Sequence, residues 1–196
     1  MESDDESSRS ANALGPVWPT FRSVVQRWMA ANRERLLSRW DHPLSDAELL
    51  NHQLGVFLHG PGDPAVEFDY DATPEHSHAF ASTGVDGEHY SVLLDEGCAG
   101  VVVLTAPMAF EHPHVVVGET LLEVLALVSN GCGLAVPPNL AYRSVELTIP
   151  ALEQPTDNEL WRQLRSDLAL APWPDLAGRL ARLQTQYLPL VRPRRS

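Results

Sequence analysis

Residues 78–131 decide the fold, and their sequence is HAFASTGVDGEHYSVLLDEGCAGVVVLTAPMAFEHPHVVVGETLLEVLALVSNG. One predicted strand ends at Phe80-Ala81, and Thr83–Glu88 supplies the glycine and aspartate residues that a hairpin turn requires. The partner strand runs from His89 to Leu94, where apolar and polar residues alternate. The next run, Val101–Thr105, is apolar on both faces, which predicts a strand in the middle of a sheet.

The second half of this stretch predicts a short strand and then a helix. Val115–Val117 has the strand composition, and the apolar residues that follow Glu119 indicate a mostly buried helix. Helical patterns dominate the chain on both sides of residues 78–131. We therefore predict an α+β fold, in which an antiparallel central sheet is flanked by helices, with helical additions at the N- and C-terminal ends.

The flanking elements follow from periodicity and from helix-capping signals. Ser45 and Glu48 form a capping box, and the chain breaks at the Gly60–Pro64 segment. Alternating residues predict one strand over Ala65–Tyr70 and another over Ser144–Ile149, closed by Pro150. Helical spacing predicts four further helices, over about 21–40, 46–58, 159–168 with a capping box at Thr156–Glu159, and 176–187.

Composition predicts one soluble domain with polar ends. Residues 1–17 are acidic and polar, which predicts a disordered tail rather than an export signal. Residues 18–190 then form a single α+β domain, and 191–196 form a short basic tail. No run is long and apolar enough for a membrane span, and Cys98 and Cys132 are expected to be free thiols in a reducing cytoplasm.

Charge is distributed unevenly along the chain, whose formal net charge is −12. Between Trp40 and Tyr142 there are fifteen acidic residues and all eight histidines, but no arginine. The chain has no lysine, which indicates the coding bias of a GC-rich bacterial source. The flanking arginines can neutralise this centre, or part of it can stay exposed and attract a basic partner. Nucleic acid is the partner that the charge argues against.

No motif of an enzyme or of a cofactor-binding loop occurs in the sequence. Ser82, Ser91 and Ser129 lack the context of a nucleophile elbow, and no glycine-rich segment matches a phosphate loop. Two His-x-His pairs, His76/His78 and His112/His114, leave a metal-dependent enzyme as an alternative, with Glu75 or Glu111 as a carboxylate ligand. We predict a protein without catalytic activity, cofactor or metal.

The stretch 78–131 resembles the core of the SUKH superfamily. The resemblance rests on Phe80-Ala81, the acidic glycine-rich turn, the strand that reaches Asp95, the strand from Val101, and Val117–Leu125. It implies an antiparallel sheet flanked by helices. It also implies the role of most members, which are cytosolic immunity proteins that bind and block a bacterial toxin, often a nuclease or a deaminase.

We therefore predict a cytoplasmic protein that binds a basic partner through an acidic surface. Exposed hairpin turns often form binding sites. An inhibitor of a nuclease binds more tightly when its carboxylates occupy the positions at which the nuclease binds phosphates. The predicted contacts are Asp86, Glu88, His89, Asp95 and Glu96. A regulatory or scaffold module with another partner is the remaining alternative.

Overall fold

Five antiparallel strands form one sheet in the computed structural model, which describes residues 2–61, 68, 70–130, 133–143, 145–155 and 158–194. The strands are β1 (Phe57–Leu58), β2 (Ser77–Ser82), β3 (His89–Leu93), β4 (Val102–Thr105) and β5 (His114–Gly118). The helices of the described residues are α1 (Glu2–Leu14), α2 (Val17–Leu37), α3 (Asp46–Leu54), α4 (Leu121–Leu127), α5 (Asn139–Tyr142), α6 (Val145–Glu153), α7 (Glu159–Asp167) and α8 (Leu176–Tyr187), followed by a 3₁₀ turn at Leu188–Leu190. The predicted α+β class, with an antiparallel sheet flanked by helices, is confirmed.

The sheet is a simple meander in which neighbours in sequence are neighbours in space. Its order is β1-β2-β3-β4-β5, and β4 is completely buried, as its apolar sequence predicts. The register aligns Ser82 with His89, His89 with Thr105, and Thr105 with His114. One end of the sheet therefore carries the β2–β3 turn and the β4–β5 loop together. We call it the hairpin end.

The two faces of the sheet contact different elements. Tyr90 and Val92 of β3 face the larger core, to which α2, α3, α4 and α7 contribute. Leu93 belongs to a smaller cluster on the other face, which Leu183 of α8 covers. Because side chains alternate along a strand, His89 lies on the same face as Leu93.

The outer edge of β5 is closed by one side chain of α8. Gln184 accepts a hydrogen bond from the backbone N–H of Val116 and donates one to the Val116 carbonyl, each at 2.8 Å. Its amide thus replaces the missing neighbouring strand at this point. An edge strand with free N–H and C=O groups is a site for unwanted pairing, and the contact removes that hazard here.

The predicted disordered tail of residues 1–17 is wrong, because α1 occupies Glu2–Leu14. Ser10 and Leu14, one helical turn apart, are both buried, and the Arg9 guanidinium donates to the Leu94 carbonyl at 3.5 Å. Leu14 gives α1 an apolar anchor in the main core.

Two further predictions of local structure are wrong. Residues 145–149 belong to helix α6 rather than to a strand, since Thr148 and Leu152 are buried one turn apart while Leu147 is 69% exposed. The helix predicted over 46–58 ends at Leu54, where Gly55 adopts φ 80°, and Phe57–Leu58 forms β1 instead.

Some predicted elements fall outside the described residues. Most of the strand predicted over 65–70 lies outside the described residues, and the two described residues, Phe68 and Tyr70, lie in no strand. The helix cap predicted at Thr156 also lies outside the described residues. Among the described residues, Asn158 caps α7, because its side-chain oxygen accepts a hydrogen bond from the N–H of Trp161. At the C-terminal end, Arg194 N–H donates to Thr73 O at 3.0 Å, so the predicted basic tail is bound to the segment before β2. No helix of the described ranges has the length and apolarity that crossing a bilayer demands.

Candidate protein-binding surface

The β2–β3 turn is rigid and projects an acidic side chain. Thr83 N–H donates to Glu88 O at 3.1 Å, and Glu88 N–H donates to Val85 O at 3.0 Å. Gly84, Asp86 and Gly87 all have positive φ, of 76°, 50° and 73°. Aspartate tolerates a positive φ better than most residues do. Asp86 is exposed, and its carboxylate lies in solvent at the tip of the hairpin.

Glu88 organises the turn from inside. It is 9% exposed, and one of its carboxylate oxygens accepts from Thr83 Oγ1 at 3.0 Å. Tyr142, at the end of α5, donates its hydroxyl to the same carboxylate. Partial burial, then the negative charges of Glu88 and Asp86, raises the pKa of Tyr142 to about 12, so the phenol stays protonated at neutral pH. Glu88 therefore binds Thr83 and Tyr142 within the protein, and its role as a direct contact stays a prediction.

Two half-exposed tyrosines flank the turn. Tyr142 is 43% exposed and Tyr70 is 41% exposed. The ring of Tyr70 lies so close to Gly87 that a Cβ atom there would stand 2.4 Å from it. The glycine thus suits the positive φ and leaves room for the Tyr70 ring. The acidic tip sits between two aromatic side chains.

The β4–β5 loop adds exposed apolar residues at the same end of the sheet. Thr105 pairs with His89 and His114 pairs with Thr105, so the loop between them emerges beside the β2–β3 turn. Phe110 is 80% exposed and Met108 is 52% exposed. Because neighbouring strands lie about 4.8 Å apart, the loop and the turn lie beside each other at the same end of the sheet.

We define the hairpin-end surface by the large or charged side chains that this end of the sheet exposes. Its members are Tyr70, Val85, Asp86, Met108, Phe110 and Tyr142. Of these, only Asp86 was predicted from the sequence. A signal for Met108 and Phe110 was present, since large apolar residues in a predicted loop are candidates for a binding surface. Tyr142 could not be found in this way, because more than fifty residues separate it from the turn.

His89 is buried and is not part of this surface, so its predicted role as a partner contact is wrong. Its side chain is 0% exposed and its ring stacks on Phe68 at 4.4 Å and 12°. Nδ1 hydrogen-bonds the Gly87 carbonyl at 2.7 Å, whereas Nε2 has no hydrogen-bond partner among the described residues. Burial lowers the pKa of His89 to about 4, and the hydrogen bond to Gly87 opposes that shift. The imidazole is therefore neutral at pH 7, and it stiffens the base of the turn.

Asp95 and Glu96 lie at the opposite end of the sheet from Asp86. The residues of β3 separate the two ends by about 14 Å. Glu96 is exposed and Asp95 is half-buried, and both line a hollow of about 330 Å³ that also contains Arg192. The acidic residues predicted from the sequence therefore form two separate groups rather than one surface.

The arginine-rich helices neutralise part of the acidic centre. Arg179 of α8 forms ion pairs with Glu119 at 3.2 Å and with Glu123 at 2.7 Å, and Arg33 of α2 pairs with Asp46 at 2.7 Å. In contrast, Asp86 forms no ion pair with any residue of the described ranges. The flanking arginines therefore neutralise some of the acids of this centre, while Asp86 stays exposed without an ion pair to a described residue.

The two His-x-His pairs lie at opposite ends of the sheet. His78 belongs to β2 near the residue that pairs with Leu93, whereas His114 pairs with Thr105 at the hairpin end. His76 and His112 are exposed, and His114 Nε2 hydrogen-bonds the Ala72 carbonyl. Across the ranges that the structure describes, His, Cys, Asp and Glu form no group of three with the geometry to hold a metal ion.

Comparison of the chain with protein-family models, with curated proteins and with solved structures finds no match. The resemblance of residues 78–131 to the SUKH superfamily therefore stays a prediction from the sequence.

Proposed function

We propose that this protein is a non-enzymatic, cytoplasmic binding module whose hairpin-end surface docks on a basic protein, as an immunity-type inhibitor docks on its toxin. The observation that carries the proposal is the position of Asp86. It is a charged side chain without an ion-pair partner among the described residues, and two half-exposed tyrosines stand beside it.

The chemistry of this surface suits an arginine or lysine of the partner. A carboxylate binds the cation directly, and aromatic rings beside it add cation–π attraction. Tyr142 fits this role because it is 43% exposed, while its hydroxyl is held by the Glu88 carboxylate. Tyrosine and phenylalanine are also enriched at the centres of protein interfaces, where a few aromatic residues contribute most of the binding energy.

The rigidity of the turn favours binding as well. Hydrogen bonds within Thr83–Glu88 fix the backbone, and the buried ring of His89 supports it from below. A surface that is ordered before binding loses little conformational entropy when the partner docks. The inhibitor role itself rests on the resemblance to the SUKH superfamily, together with the acidic centre of the chain.

Capture of the partner from the native cytosol tests the proposal. The wild-type chain is compared with Asp86→Asn, which removes the charge but keeps a residue that tolerates φ 50°. Glu96→Gln is the matched control, since it removes an exposed acid at the opposite end of the sheet. We expect a basic protein that wild type and Glu96→Gln capture equally and that Asp86→Asn captures at least tenfold less, because a charge-assisted hydrogen bond is lost.

A second pair of variants tests the apolar part of the surface. Phe110→Ala is expected to weaken capture, whereas Leu190→Ala, which removes a 47% exposed side chain at the other end, is expected to leave it unchanged. Equal capture by wild type and by both hairpin-end variants would show that the interface lies elsewhere.

The inhibitor role has its own test. The captured protein is expressed alone and then together with wild type or Asp86→Asn. We expect growth arrest by the partner alone, relief by wild type and no relief by Asp86→Asn. A partner that does not affect growth would contradict the inhibitor role and favour the regulatory or scaffold alternative.

A further inference from the structure

A second site lies beside the hairpin-end surface, in a groove of about 620 Å³ between β5, α5 and α8. Its walls are largely apolar, and the residues that form them are Val115, Leu140, Ala141, Ala177, Leu180, Ala181 and Leu188. Pockets of this size and composition are typical of small-molecule sites.

The groove exists because α8 presents small residues toward α5. Ala177 and Ala181 lie one turn apart on this side of the helix. Between them Gly178 donates its N–H to Asp175 Oδ1 at 3.0 Å, and an added Cβ would collide with that carboxylate at 2.1 Å. The glycine leaves room for the Asp175 cap of α8 and adds no side chain to the wall of the groove.

Most polar groups of the groove are already engaged. Both amide atoms of Gln184 bond the backbone of Val116, and His114 Nε2 bonds the Ala72 carbonyl. Arg143 differs, since its exposed guanidinium forms no ion pair with a residue that the structure describes. By comparison, Arg179 on the same helix as Gln184 pairs with two glutamates.

An apolar groove with an arginine at its rim that forms no ion pair with the described residues selects an anionic amphiphile. The chain carries a net charge of −12, which repels anions in general, so any preference for an anion must come from the local guanidinium. The planar guanidinium matches a carboxylate with two parallel hydrogen bonds. The apolar walls then take a hydrocarbon chain.

We propose that this groove binds a free medium-chain carboxylate, with the carboxylate on Arg143 and the alkyl chain between α5 and α8. The site goes beyond the proposed function and rests on residues other than those of the hairpin-end surface. Its occupant reaches the groove from solution and requires no protein partner.

Calorimetric titration with three probes of one chain length tests the head group. Octanoate, octanol and octylamine share the alkyl chain and differ in charge. We expect saturable binding of octanoate with a Kd of about 1 mM or tighter, and binding of octanol and octylamine that is at least about tenfold weaker. Equal affinities for octanoate and octanol, or no saturable binding of octanoate, would overturn the proposal.

Three variants locate the site. Arg143→Gln is expected to reduce octanoate affinity about tenfold, to the level of octanol, while Arg182→Gln, an exposed arginine of α8 outside the groove, leaves it unchanged. Ala181→Phe fills the groove from an exposed helix position and is expected to abolish binding of all three probes. Circular dichroism is used to test whether Ala181→Phe is folded. If Ala181→Phe is unfolded, Ala177→Phe takes its place, because it fills the same groove.

Octanoate that binds Arg143→Gln or a folded groove-filling variant as tightly as wild type would overturn the assignment. None of these outcomes depends on the basic partner. Loss of the ligand site and loss of the protein-binding site are therefore distinguishable.

Discussion

Replacement of Gln184 by alanine should destabilise the protein far more than replacement of Gln186, although the two residues are chemically identical neighbours on α8. The Gln184 amide makes two hydrogen bonds of 2.8 Å to the backbone of Val116, which is 0% exposed. Alanine leaves a buried N–H and a buried C=O without partners, and each such group costs about 1–3 kcal/mol. Since water can enter part of the space, we expect a loss of about 3 kcal/mol in the free energy of unfolding.

Urea denaturation measures this loss directly. With a slope of about 2 kcal/mol per molar urea, the Gln184→Ala midpoint should fall by about 1.5 M. Gln186 is exposed, and its replacement by alanine should change stability by no more than about 0.5 kcal/mol. Both variants shorten the same side chain in the same helix, so differences in helix propensity cancel. If the two variants are equally stable, the amide does not protect the edge of β5 and the reasoning is refuted.

Two further predictions concern the hairpin end. The pKa of His89 is about 4 in the folded protein and about 6.5 when unfolded, so the unfolded state binds the proton first as pH falls. The contribution of His89 to the free energy of unfolding is therefore fully present above about pH 6.5, and about 3 kcal/mol of it is lost by pH 4. Urea titrations between about pH 4 and 6.5 should show a smaller dependence of the free energy of unfolding on pH in His89→Asn than in wild type. A slope that persists in the variant would contradict this assignment. Gly87→Ala should cost at least about 1 kcal/mol more than Gly97→Ala. Both glycines have positive φ, but only the Cβ at Gly87 would collide with Tyr70. Equal thermal midpoints for the two variants would show that the Tyr70 ring moves aside freely.

The strands of the central unit could be predicted because local signals and burial agree there. Alternation in β3, the apolar run of β4 and the glycine-rich turn all indicate the same hairpin topology. The strand predicted over residues 145–149 was wrong because the local pattern there does not decide between a strand and a helix. A short alternating segment satisfies a strand and a helix almost equally, and burial of Thr148 and Leu152 in α6 decides between them.

Candidate site residues were harder to predict than the fold because exposure depends on tertiary packing. The sequence places His89 beside an exposed turn, but Phe68 covers its ring. The separation of Asp86 from Asp95 could have been predicted, since residues that bracket one strand must lie at its two ends. The contact of Tyr142 with Glu88 could not, because it joins segments that are distant in sequence.

Hydrogen–deuterium exchange on the complex with the captured partner tests the central claim most directly. The account predicts that binding protects backbone amides of the Thr83–Glu88 turn and of residues 106–113, while residues 95–100 at the other end of the sheet exchange as in the free protein. Protection confined to residues 95–100, with no change at the hairpin end, would contradict it.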